Sequence, residues 1–268
     1  QGSHIRTMEK GTGVKVEDHN PTLRVIRILE SLMRQPEGMT LTEIAKSNGM
    51  PKGSISPIIH TLAGYKFLRF DELSGRYSIG IRCYEIGNEY IAQMNVSDEI
   101  REITKKIVAK CNETSHFAVL DGSDVVYLMK QDSSEAIRMV SSIGKRIPAY
   151  STAIGKALLS GYTNEKIAAL YPGGLQKITD KTITDPEVLY TQLKEIRDTK
   201  VAYETEESSL NITCIAVPVE KNGEVVAALS VSIPLFRAME DKKKQIKEVL
   251  FEAKGEIEAL IKTLPFNI

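Results

Sequence analysis

At 268 residues, 42% of them apolar, the chain is long enough for two domains with separate cores, which excludes global disorder. Lys+Arg and Asp+Glu balance at 35 each, and three scattered cysteines (Cys83, Cys111, Cys214) without a Cys-x-x-Cys exclude a disulfide scaffold and argue against structural zinc. No run approaches the roughly 18 apolar residues of a membrane span, and no secretory signal is present, so a cytoplasmic protein without membrane contacts is expected.

Residues 1–20 are polar and aperiodic and predict a flexible tail, with Gln1-Gly2-Ser3-His4 read as an expression-tag remnant. Asn20-Pro21-Thr22 opens a first helix, with a cap-type residue followed by Pro in the first turn. Leu23, Ile26, Leu29, Leu32 and Met33 share one face of it. Thr40 predicts an N-cap for a helix over Leu41–Asn48, with Glu43 completing a capping box. A third helix is predicted from Ser54 to Tyr65, with Ile55, Ile58, Ile59 and Leu62 inward. Pro57 conflicts with a helix interior, and the conflict is removed if Ser54 is the N-cap. Phe67–Phe70 and Arg76–Ile79 read as two strands around Asp71–Gly75. Two short helices, a Gly turn and a hairpin form the layout of a winged helix-turn-helix over 21–80. That segment carries an excess of three positive charges, whose sign suits phosphates. Candidate DNA contacts are Lys52, Ser54, Ser56, His60 and Thr61 on the third helix, and Arg69 and Arg76 on the wing.

Ile81–Met94 predicts a linker helix within 81–95, and its Ile/Tyr stripe is read as a coupling and dimerisation element or as internal core. The remaining domain, 96–268, begins with a helix over Asp98–Cys111. Ser115–Leu120 and Val125–Lys130 form one predicted hairpin, and Ile137–Ser141 a further strand. Ser151–Ser160, Asn164–Leu170 and Pro186–Lys200 read as helices. Asn211–Val219 and Val225–Ile233 form a second hairpin, and Met239–Leu264 a long amphipathic helix. The fold class is therefore α+β, with a mostly antiparallel sheet and packed helices.

Two motifs then carry a resemblance. One is Ile147-Pro148-Ala149-Tyr150-Ser151-Thr152-Ala153-Ile154-Gly155-Lys156. The other joins Tyr203–Glu207, Cys214–Val219 and Ala228–Pro234. With the head, they resemble the IclR-type transcriptional regulators over about residues 21–264. The resemblance implies a GAF-like effector-binding domain, a homodimer or homotetramer on a double-stranded DNA operator, and no cofactor. By matching position it implies effector contacts at Ala153, Ile154, Glu204, Cys214, Ser230 and Ser232. The chain departs from the family pattern at Lys200 and Glu204, where Gly and then Asp or Ser are usual, and at Pro57, where Arg is common.

The residues independently suit a pocket. Thr152–Gly155 opens a helix with small side chains that let backbone N–H groups approach an anion. Ser230 and Ser232 share one strand face, and Glu204 accepts from ligand hydroxyls. A carboxylate there opposes a densely anionic ligand, so a hydroxylated small carboxylic or sugar acid is expected, and the resemblance implies the 2-keto-3-deoxy type as one such class. Each position also has a plainer reading: a buried helix, half-exposed serines, a core cysteine and a solvated acidic loop. The competing functions are a thiol hydrolase using Cys214 and His116, and a metal sensor using His116 and Cys111. Neither has a recurrent local motif.

Overall fold

A computed structural model of the protein describes residues 19–33, 35–92, 96–139 and 141–263. The tail and tag remnant assigned to 1–20 lie outside the described residues up to residue 18. The chain divides into two units, residues 1–93 and 94–268.

The first unit begins with α1 (Asn20–Leu32). Its cap position is His19, one residue earlier than expected, so Pro21 occupies the second helical position. A two-residue strand β1 (Met39–Thr40) precedes α2 (Leu41–Ser47). The expected capping box is present. The Thr40 hydroxyl accepts the Glu43 N–H at 3.3 Å, and the Glu43 carboxylate accepts the Thr40 N–H at 2.8 Å. Helix α3 (Lys52–Gly64) buries Ile55, Ile59 and Leu62 against Ile28, Leu32 and Ile44.

Pro57 requires a correction. Ser54 is not the N-cap, because the cap lies three residues earlier, at Pro51, and the helix starts at Lys52. The Pro51 carbonyl accepts from the N–H groups of Ser54 and Ile55, at 3.0 and 3.2 Å. Pro57 is therefore an interior residue, and the Gly53 carbonyl loses the N–H that residue 57 normally supplies.

Strands β2 (Leu68–Asp71) and β3 (Arg76–Ile79) form the wing hairpin. Strand β1, which carries no period of its own, pairs with β3, placing Thr40 opposite Arg76. Gly38 makes this possible: its φ is +69°, and a Cβ there would lie 2.6 Å from the Tyr77 carbonyl oxygen. Helix α4 (Ile81–Ala92) follows, and Ile81, Tyr84, Ile86 and Tyr90 are exposed on it.

The second unit holds a six-stranded antiparallel sheet in the order β6-β5-β4-β9-β8-β7. The strands are β4 (Thr114–Asp121), β5 (Asp124–Gln131), β6 (Arg146–Pro148), β7 (Ala202–Thr205), β8 (Ile212–Lys221) and β9 (Glu224–Pro234). Helices α6 (Ala153–Leu159) and α8 (Pro186–Thr199) cover one face, with α7 (Asn164–Leu170) beside them. Helices α5 (Ser97–Cys111) and α9 (Glu240–Thr263) pack together on the other. Both hairpins turn where expected, and Asn222-Gly223 supplies two residues at positive φ.

The strand expected at Ile137–Ser141 does not form over its described residues, and Val140 lies outside them. Ile137 is exposed, and Ser141 is tied down by the side chains of Lys130 and His116. The edge beside β5 is taken instead by β6, where Arg146 reaches Asp121 and Asp124. Strand β7 falls within a stretch read as a motif without assigned structure. Its residues alternate between buried and exposed, with Ala202 and Glu204 inward.

Candidate functional site

Register builds the site. Glu204 on β7 stands opposite Cys214 on β8, Cys214 opposite Ser232 on β9, and Ser232 opposite Thr114 on β4. The adjacent row is Ala202, Ala216, Ser230 and His116. Alternate strand residues share a face, so both rows lie on the same side of the sheet. That side is the one under α6, because Ala202, Cys214 and Ala216 share a core cluster with Ala153 and Ile154. Ala153, Ile154, Glu204, Cys214, Ser230 and Ser232 are thus brought to one layer. None of the six is more than 7% exposed. The plainer readings of half-exposed serines and a solvated acidic loop do not hold.

The layer is polar as well as buried. The Cys214 thiol donates to the Ser232 hydroxyl at 3.2 Å. One Glu204 carboxyl oxygen accepts the Glu207 N–H at 3.0 Å. The other, Oε1, is buried and has no hydrogen-bond partner among the described residues. Burial pushes the Glu204 carboxyl up to about 7; the Cys214 thiol and the Glu207 N–H hold it down in part, the Glu207 charge adds to the rise and Lys156 opposes it. Beside it Lys156 Nζ meets Glu207 Oε1 at 2.5 Å, with the lysine fully buried. Burial pushes the lysine down and the glutamate up, and their mutual attraction opposes both shifts.

Two details correct the reading of the motif residues. Gly155 is small because α6 runs against the turn Ala149–Ser151: a Cβ there would sit 2.1 Å from the Ala149 carbonyl oxygen. Its N–H is already taken by the Thr152 hydroxyl at 3.0 Å, leaving Ala153 and Ile154 as the remaining first-turn donors of the motif. Lys200 is the αL residue that ends α8, at φ +59°, which explains why glycine suits that position.

The layer is closed in this structure, and two open clefts among the described residues lie elsewhere. One of about 510 Å³ is lined by Tyr162, Arg197, Lys200 and Glu220. Another of about 370 Å³ lies between α5 and α9. Neither touches the polar rows, whose convergent buried groups mark the candidate site better than open volume does.

On the head, Lys52, Ser54, His60 and Thr61 line the exposed side of α3, and Ser56 is half-buried. The Thr61 hydroxyl donates to the Pro57 carbonyl at 2.8 Å. Arg69 is exposed on β2. Arg76 is already engaged. Its guanidinium donates to the Gly38 carbonyl at 2.8 Å and to Glu43 at 3.1 Å, bracing the capping box against the wing. The β1–β3 pairing, invisible as a pattern, put it there.

With this geometry in hand, family models identify both units. The description "IclR helix-turn-helix domain" matches residues 22–72, and "Bacterial transcriptional regulator IclR C-terminal" matches 88–259. The chain belongs to the IclR family. It is similar to the HTH-type transcriptional regulator KdgR of Escherichia coli (strain K12), at 30% identity over 239 residues, covering 88% of this chain and 90% of that one. It is also similar to the Thermotoga maritima IclR structure, at 29% identity and a TM-score of 0.75, covering 91% and 100% of the two chains. An IclR homolog from Microbacterium hydrocarbonoxydans, solved with 4-hydroxybenzoate, matches at 23% identity and a TM-score of 0.81, covering 91% and 99%. That last likeness is one of fold alone.

This IclR-family chain is a ligand-responsive, DNA-binding transcriptional regulator and not an enzyme. The hydrolase pairing fails on geometry too. Cys214 and His116 stand on strands separated by β9, no hydrogen bond joins them among the described residues, and the Cys214 thiol bonds Ser232. Burial raises its thiol well above the ordinary range, where thiols are inert. His116 Nε2 meets the Ser141 hydroxyl at 2.7 Å, and the Cys111 thiol points to the Glu113 carbonyl, so the structure does not join the two proposed metal ligands. Among the described residues no helix is long and apolar enough to cross a membrane.

Sequence reasoning missed His116, Tyr127, Lys156 and Glu207 as members of the buried polar layer. His116 alternates correctly within its strand, but only the β4–β9 register sets it beside Ser230.

Proposed function

We propose that the C-terminal unit binds a small hydroxylated monocarboxylic acid, of the 2-keto-3-deoxy sugar acid type, over the Glu204–Ser232 row. Binding alters operator affinity in a homodimer or homotetramer. The observation that carries this reading is the buried, unpartnered Glu204 Oε1 in a row of polar side chains, because a buried polar atom without a partner calls for one. Ser230, Ser232 and Glu204 suit ligand hydroxyls. A ligand carboxylate beside Glu204 makes ionising either group costlier, so the acid end belongs near the first-turn N–H groups of Ala153 and Ile154. Similarity to KdgR at 30% identity is compatible with such a ligand without fixing it.

Operator contacts come from Lys52, Ser54, Ser56, His60 and Thr61, with Arg69 on the wing. We rank Arg76 after these, because its Nη1 and Nη2 already meet the Gly38 carbonyl and the Glu43 carboxylate. The exposed Ile81, Tyr84, Ile86 and Tyr90 of α4 support its role in joining two copies. Two heads then read half-sites about 34 Å apart, or a multiple of that.

Calorimetry with sugar acids, short keto acids and aromatic acids tests the ligand, and gel retardation across a salt series tests the DNA. The expected result is sugar-acid binding that shifts a salt-dependent retardation. Binding confined to aromatic acids, or retardation indifferent to salt, removes the corresponding half.

A further inference from the structure

We infer that His116, stacked on Tyr127, is a ligand-contacting residue that selects longer hydroxylated acids over short ones. This rests on the effector-site reading above and adds to it the far end of the polar rows.

His116 is fully buried, and its Nδ1 has no hydrogen-bond partner among the described residues. It stands directly opposite Ser230, on the same sheet face as Ser232 and Cys214. Its ring is held on two sides. Nε2 meets the Ser141 hydroxyl at 2.7 Å, and the ring centroid lies 4.6 Å from that of Tyr127. Lys130 fixes the same segment by donating to the Ser141 carbonyl at 2.7 Å. A side chain so anchored, with one ring nitrogen left over, is preorganised for a further polar atom. The Tyr127 hydroxyl lies close enough to Cys214 and Glu204 to feel both electrostatically, which ties His116 to the Glu204 end.

The imidazole is neutral. Burial and the nearby Lys130 hold it down at about 3. A neutral ring offers Nδ1 as either donor or acceptor, according to how Ser141 orients, and a hydroxyl satisfies both cases. It does not attract a carboxylate as a cation does, so the group it meets is a hydroxyl or carbonyl.

Span gives the selectivity. Strand β7 and strand β4 are separated by three strand spacings, roughly 14 Å. A six-carbon acid extends farther along the rows from Glu204 toward His116 and Tyr127 than a three-carbon acid, which meets one end only.

The test uses the full chain, with 2-keto-3-deoxy-D-gluconate and pyruvate as probes in calorimetry. His116→Phe keeps the ring and removes the nitrogens. It is expected to weaken the six-carbon acid roughly tenfold or more and leave pyruvate within about twofold. In the wild-type protein the ¹⁵N resonance of His116 Nδ1 is expected to move with the six-carbon acid and not with pyruvate. This readout survives if the variant fails to fold. Glu204→Gln and Ser232→Ala serve as controls for the site. If they weaken binding while His116→Phe and the ¹⁵N signal are unaffected, this inference falls and the site stands. If the wild type binds neither probe, or the controls have no effect, the site reading falls and takes this one with it.

Discussion

Glu204 and His116 make opposite demands on pH, and removing either exposes the other. The folded state holds Glu204 at about 7, from burial first, against an ordinary 4.5. Between pH 4.5 and 7 the folded chain therefore binds a proton that the unfolded chain does not. Stability from this group is highest at the acid end of that window and falls as pH rises. The full effect is about 3 kcal/mol, at about 1.4 kcal/mol per unit. His116 is held at about 3, from burial first, against 6.5, so here the unfolded chain binds the extra proton between pH 3 and 6.5. Stability from His116 falls as pH drops through that window. From pH 4.5 to 6.5 the two slopes are equal and opposite, each amounting to about 3 kcal/mol. Glu204→Gln should lose about 3 kcal/mol, relative to wild type, on going from pH 6.5 to 4.5. His116→Phe should gain about as much over the same interval. Urea unfolding of the C-terminal unit, followed by circular dichroism at several pH values, measures both differences. Constant costs of either substitution cancel in the slope. Groups facing Glu204 (Cys214, Glu207, Lys156, Tyr127) and His116 (Lys130, Asp132, Lys145) remain in both proteins. Two variants with the wild-type slope, or slopes of the same sign, would refute the assignment.

Three further outcomes are expected. Gly155→Ala drives a Cβ to 2.1 Å from the Ala149 carbonyl oxygen and should destabilise the C-terminal unit by about 3 kcal/mol; a cost under about 1 kcal/mol by chemical denaturation means α6 is not pinned there. Pro57→Ala returns an N–H to the Gly53 carbonyl and should raise the head's stability by up to about 3 kcal/mol in thermal unfolding; no change would mean that residue 57 lies in the first turn after all. Arg69→Ala should reduce the salt slope of operator binding by about 1 and leave the head's melting midpoint alone, whereas Arg76→Ala should lower that midpoint first; interchanged phenotypes would reverse their roles.

Much of the head was legible from residue types, because its signals are local. Thr40 and Glu43 lie three apart and cap the same turn they announce. The two strands of the wing are joined by the residues from Glu72 to Gly75, whose turn chemistry is plain. Pro57 was misplaced for a related reason. Its local penalty is real, but the packing of Ile55, Ile59 and Leu62 against α1 and α2 sustains the helix through it. Strands β6 and β7 are only three and four residues long, too short for a period to declare itself, and each exists because a longer neighbour offers a free edge.

The sequence by itself determined the winged helix-turn-helix ahead of an α+β unit, the third helix of the head and the alternation that puts Ser230 and Ser232 on one face, since all of these follow from spacing along the backbone. The tertiary structure decided which residues meet: Glu204 with Cys214, Ser230 with His116, Arg76 with Glu43. The reason is register. Pairing between strands far apart in the chain is set by the packing of whole faces, and a slip of one residue would turn every one of these side chains to the opposite side.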